Sequence, residues 1–151
     1  MQHIWIFQLA EALDAERENA VLAQLNRLTE DWKAHGAPVP GRAAIRHHRF
    51  VIVQAMPGAT SGCSIDSMTH GVEGIIASAG VKILPNNIIQ YRTVAGDVAQ
   101  IDFREVSAAV QSGEMGPDTL IFDATMGQTQ DLERFEVGMK DSWLKRYLVT
   151  A

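Results

Sequence analysis

The chain has 151 residues, 46% of them hydrophobic and 21% charged, the size and balance of a folded domain with its own core and not of a disordered chain. A net charge of −5 argues against binding to nucleic acid or anionic membranes, which rests on clustered Lys and Arg. The single cysteine cannot form an intrachain disulfide, the N-terminus lacks a basic stretch leading into an apolar one, and no apolar run approaches the ~20 residues of a membrane span, so the chain reads as cytoplasmic.

His3 to Leu9 is β-branched and aromatic, as a first strand should be. Asp14 offers an N-cap, and Val21, Leu25, Leu28 and Trp32 recur at helical spacing toward a stop at Gly36. That stop would put His35 in the last turn, beside the dipole and the final carbonyls. Ala37 to Gly41 reads as a loop. Ala43 to Met56 is extended, either one strand or a hairpin breaking near His47-His48. In one strand Arg42, Arg46, His47, His48 and Arg49 would divide between two faces and make no single basic patch. A loop from Pro57 to Gly62 leads into a second helix from about Ser64 to Ala79, closed by Gly80.

Two strands, Ile88 to Val94 and Val98 to Phe103, join at the hairpin signal Ala95-Gly96-Asp97. Asp102 with Glu105 reads as a capping box for a third helix ended by Gly113. Thr119 to Phe122 is a further strand, and the tail from Gln130 to Leu148 is partly helical, with Trp143 and Tyr147 spaced to dock on the body. The expected class is α+β, a mixed sheet with helices packed on it in the order βαβα then ββαβα. No linker separates the halves, so 1–151 reads as a single domain, divisible into 1–84 and 85–151.

The second helix carries the chemistry. At about 100° per residue, Ile65, Met68, Val72, Ile75, Ile76 and Ala79 form a core face, while Cys63, Ser67, His70, Gly71, Gly74 and Ala77 collect opposite. That second face is smooth, although a glycine inside a helix costs about 1 kcal/mol against alanine. Another segment, a second copy of the chain or a ligand is expected to approach it. Cys63 lies at the helix N-terminus, where free N–H groups and the dipole favour a thiolate. With His70 as base and Asp66 as orienting carboxylate it forms a candidate nucleophilic or redox-sensing site. The same residues also fit plainer roles, Cys63 as a small packing residue and Asp66 as a first-turn cap.

Gly62, Ser64 and Ser67 are the ligand-binding candidates on this element, with His35 as an outlying one if the fold brings it near. The Gly58 to Ser64 loop joins strand to helix as anion-cradling loops do. It lacks the Lys of a nucleotide-binding loop, and Thr69 stands where a Cys-x5-Arg phosphatase loop needs Arg. No zinc spacing, no GxSxG and no dinucleotide fingerprint occurs, so neither metal nor cofactor is implied.

Ile4-Trp-Ile-Phe-Gln8, Trp32-Lys-Ala-His35-Gly36, Arg49-Phe50, Ser142-Trp143 and above all Ser61-Gly-Cys-Ser-Ile-Asp-Ser67 with His70 resemble a family of small uncharacterised bacterial proteins of the Bacteroidetes and their relatives. Its members are often labelled "ABC transporter ATPase", a label this chain's lack of a Walker A loop does not support. The resemblance implies no transferable activity; it marks the Cys63 segment as characteristic. The stretch 96–127 also resembles the bacterial variant of the GYF adaptor domain, which implies a peptide-binding ββαβ unit; Tyr91, Phe103 and Phe122 are the only rings near it.

Two readings follow. The first is an interaction or ligand-binding protein, for a small molecule, a protein or a second copy of the chain, that uses the face around Cys63, His70 and Gly74. The second is a thiol-dependent enzyme or redox sensor with Cys63 as nucleophile. An inert, covered thiol suits the first; an open cleft around an acidic thiol suits the second.

Overall fold

The structure, a computed structural model, describes residues 3–56, 58–125 and 132–148. The chain forms two compact units, one built on the residues up to Leu84, the other on Pro85–Thr125 and 132–148. None of the described helices is long and apolar enough to cross a membrane.

In the first unit, β1 (His3–Gln8), β4 (Gly41–Arg46) and β5 (Phe50–Ala55) form an antiparallel sheet in the order β1-β5-β4. The register opposes Trp5 to Val53 and Phe7 to Val51 on β1, and Ala43 to Val53 and Ile45 to Val51 on β4. One face is therefore apolar, and it packs with α1 (Ala15–Glu30) and α2 (Gly62–Ser78) around Val21, Leu25, Met68, Val72 and Ile76. Burying each such side chain contributes about 1.5–3 kcal/mol.

Asp14 is the α1 N-cap, its carboxylate accepting from the Arg17 N–H at 2.8 Å. That bond, first among its causes, holds the Asp14 carboxyl below its usual range. The helix stops earlier than Gly36. After Glu30 the chain turns, and β2 (Lys33–Ala34) pairs with β3 (Ala37–Pro38). His35 and Gly36, at φ 53° and 81°, are the two turn residues, the signature of a type I′ hairpin. The helical period carried on into Trp32, but Trp32 faces inward here as part of a hairpin whose Val39 N–H donates to its carbonyl at 2.9 Å. His35 is thus a turn residue and not a helix terminus.

Of the two alternatives for Ala43 to Met56, the hairpin breaking at His47-His48 is the one formed. The two histidines sit at φ 53° and 62° in the tight β4–β5 turn, closed by the Arg49 N–H on the Arg46 carbonyl at 3.1 Å. Arg42 and Arg46 share the β4 face opposite Ala43 and Ile45, so the basic residues do not alternate through one strand. His48 Nδ1 lies 3.1 Å from Glu18 Oε1 on the surface. Left-handed backbone costs a non-glycine residue roughly 1–2 kcal/mol. Replacing His47-His48 by Asn-Gly is expected to stabilise the chain by about 1 kcal/mol after loss of the His48–Glu18 contact, read as a rise in thermal midpoint. A fall would show that the histidine contacts outweigh the strain.

In the second unit, β6 (Ile88–Arg92), β7 (Val98–Asp102), β8 (Leu120–Phe122) and β9 (Glu136–Gly138) form an antiparallel sheet in the order β7-β6-β8-β9. Ile89, Tyr91 and Ile121 from this sheet join Val106 and Ala109 of α3 (Val106–Ser112), with Met115, Met139 and Leu144, in a second core. Trp143 and Tyr147 of the final 3-10 turns pack against it, as their spacing predicts. Asp102 caps a 3-10 turn ahead of α3, accepting from the Arg104 N–H and guanidinium and from Asn87. Those bonds to Arg104 hold its carboxyl far below the ordinary range, and no reciprocal bond from Glu105 forms a capping box.

The class is α+β, as the element order implies. The strands divide among three antiparallel sheets instead of joining one, because the paired strands of each unit are linked by short hairpins or by connections that return antiparallel.

Candidate functional site

The Ser61–Ser64 segment is first of all a helix start. Ser61, not Asp66, is the α2 N-cap. Its Oγ accepts the Ser64 N–H at 3.2 Å, and Ser64 Oγ accepts the Ser61 N–H at 2.7 Å. Ser64 also donates to the Ser61 carbonyl at 2.8 Å and is buried. From the first unit's core, the Trp32 indole N–H donates to the Ser64 carbonyl at 2.8 Å. Two serines of this segment are therefore used in holding the first turn, and Ser64 is closed to a ligand.

Cys63, Asp66, Ser67 and His70 all lie on the exposed side of α2, and Gly62 is exposed at its first position. His70 lies seven positions after Cys63, a rise of roughly 10 Å along the axis. No hydrogen bond or ion pair joins Cys63, Asp66 and His70, or links His35 to any of them. Among the described residues no three His, Cys, Asp or Glu converge as a metal site. The face is open, as a reagent-accessible thiol requires, but its residues do not assemble into a catalytic constellation.

The two mid-helix glycines differ. A Cβ on Gly71 would fall 2.7 Å from Leu28 Cδ1, so Gly71 lets α1 approach α2 and does not belong to the smooth outer face. A Cβ on Gly74 would meet nothing within 4 Å. Gly74→Ala is expected to stabilise the chain by roughly 0.5–1 kcal/mol, the ordinary helical gain, whereas Gly71→Ala should give no gain because Leu28 must move. Chemical denaturation of both variants measures this; equal effects would mean that the α1–α2 approach is not limiting.

Sequence reasoning missed a cleft in the second unit. It has a volume of about 540 Å³ and lies between the β6–β7 turn and the segment joining α3 to β8. Its walls include Arg92, Val94, Glu114, Pro117, Asp118 and Leu120, and Gly96, Gly113 and Gly116 leave it open. Four large apolar side chains are exposed among the described residues, Met56, Val94, Phe103 and Leu120, and two of them line this cleft. Single exposed apolar residues are ordinary; here Val94 stands fully exposed at the rim and Leu120 lies on the wall of an open cleft, the kind of feature in which ligands bind.

Arg92 is held in place, while Asp118 and Lys140 form an exposed surface pair. Arg92 Nε donates to Glu136 Oε1 at 2.8 Å, and its guanidinium carbon sits 5.4 Å over the Phe122 ring. Lys140 Nζ lies 3.0 Å from Asp118 Oδ1. Tyr91, nearly fully buried, donates its hydroxyl to Glu114 Oε1 at 2.9 Å. Burial first and this bond second raise the phenol above its usual range, so it remains a donor. The sequence puts Val94 at the end of a strand and marks Ala95-Gly96-Asp97 as a hairpin signal, which says nothing of a cleft. Of the three rings near 96–127, Tyr91 and Phe122 are buried and only Phe103 reaches the surface.

Comparison with known proteins adds no relative: no family model, no curated protein and no solved structure matches the chain.

Proposed function

We propose that this chain is a non-covalent binding protein and that the cleft of the second unit is its site. The observation that carries the reading is an open cleft of about 540 Å³ with Leu120 on its wall, Val94 fully exposed at its rim and Arg92 fixed by Glu136. A volume of about 540 Å³ falls within the ordinary range of small-ligand sites, roughly 300–1,000 Å³. The interaction reading of the sequence is kept, with its site moved from the Cys63 face to the second unit.

Amide-resolved NMR of the chain against a library of small polar and apolar fragments tests this. Saturable shifts are expected at Val94, Gly96, Gly113, Glu114 and Leu120. Shifts clustered instead at Cys63, Ser67, His70 and Gly74 would return the site to α2 and sink the cleft reading. A second reading, thiol chemistry at Cys63, is favoured by one observation, the exposure of that thiol in the first turn of α2.

A further inference from the structure

We infer that the cleft selects an aliphatic ammonium ion, with Glu114 as the counter-charge, Pro117 and Leu120 as the apolar wall and Val94 exposed at the rim. The inference rests on the cleft being a binding site and adds the chemistry of what it takes.

Three charged side chains line the cleft: Arg92, Glu114 and Asp118. Two already have opposite charges against them, Arg92 from Glu136 at 2.8 Å and Asp118 from Lys140 at 3.0 Å. Arg92 is further committed through Nη1 to the Gly96 carbonyl at 3.1 Å, so it is not presented to an anion. Glu114 is the exception. Its side chain's one interaction is the hydrogen bond accepted from Tyr91, a neutral phenol, and no cation among the described residues pairs with it. A carboxylate accepts about four hydrogen bonds, so most of its capacity faces solvent at the cleft. The phenol fixes the carboxylate without cancelling its charge.

The surroundings select among cations. A hydrated inorganic ion would gain nothing from Val94 and Leu120, whereas an ammonium on an alkyl chain neutralises Glu114 and buries methylenes on them, each worth its own increment of affinity. A carboxylate or phosphate ligand would meet uncompensated negative charge. The same chemistry is offered by a free alkylamine and by a lysine side chain of a peptide, and the geometry suits both.

The test is an amide-resolved NMR titration of the intact chain with n-pentylamine, 1-pentanol and pentanoate at low salt, repeated with Glu114→Gln, which keeps an acceptor for Tyr91. Pentylamine is expected to shift the Val94, Gly113, Glu114 and Leu120 amides and to bind about fivefold more tightly than pentanol, with pentanoate weakest. In Glu114→Gln the amine should fall to the level of the alcohol. A blocked lysine, Nα-acetyl-lysine methylamide, is compared with pentylamine: tighter binding by the first assigns the ammonium to a peptide, by the second to a free amine, and both support the inference. Pentanol or pentanoate binding the cleft as tightly as the amine, or an amine affinity unchanged in Glu114→Gln, overturns the cation while leaving the cleft as a site. No shift at the cleft with any probe overturns both.

Discussion

Trp32→Ala is expected to destabilise the chain by about 3–5 kcal/mol, a large share of the roughly 5–15 kcal/mol that holds a domain together. Trp32 is 5% exposed and does three things at once. Its ring meets the Trp5 ring edge-on, with centroids 5.7 Å apart. It lies so close to β4 that a Cβ on Gly41 would fall 2.7 Å from Trp32 Cε3, so the position opposite must be glycine. Its N–H fastens the Ser64 carbonyl, and with it the first turn of α2, to the sheet. Truncation leaves a cavity and removes the tie. Trp32→Phe keeps most of the ring and loses only the donor, which should cost about 1–2 kcal/mol. Urea denaturation followed by circular dichroism separates the two. A Trp32→Ala variant within about 1 kcal/mol of the parent would mean that the site collapses around the deletion, and would remove Trp32 as the anchor of the Cys63 segment.

Much of the fold was legible because its signals are local. Asp14 as cap, the Val21–Leu25 stripe, Gly80 after α2 and the Gly96 hairpin each follow from a few neighbouring residues, and each lies where the pattern puts it. The misreadings have a common cause. Trp32 continues the helical period by coincidence, so Gly36 reads as a helix stop instead of a turn residue, and His47 and His48 in positive-φ positions usually held by Asn or Gly leave the β4–β5 hairpin as one of two alternatives. The Cys63 motif was legible as a special segment but not in its role. Ser61 and Ser64 do capping work that resembles site chemistry on paper, and Gly71 was assigned to the outer face although it meets Leu28 of α1. The cleft could not be read at all. It joins Arg92–Gly96 to Gly113–Leu120, segments that the antiparallel pairing of β6 with β8 brings together, and no local pattern encodes that pairing.

Cys63 is expected to be alkylated in the folded chain within about threefold of its rate in denaturant, because the residue is exposed in the first turn of α2. His70→Ala and Asp66→Asn should each leave that rate unchanged within about twofold, since neither side chain contacts the thiol and the histidine lies two turns along the axis. The single cysteine makes the labelling unambiguous. Slow labelling that is released only by denaturant would place Cys63 under a partner, most simply a second copy of the chain, and would return the smooth face of α2 to the interaction surface that the sequence suggested. A rate falling about tenfold or more in His70→Ala would instead join Cys63 and His70 in one functional unit, and the thiol-dependent reading would then displace the cleft as the first place to look for activity.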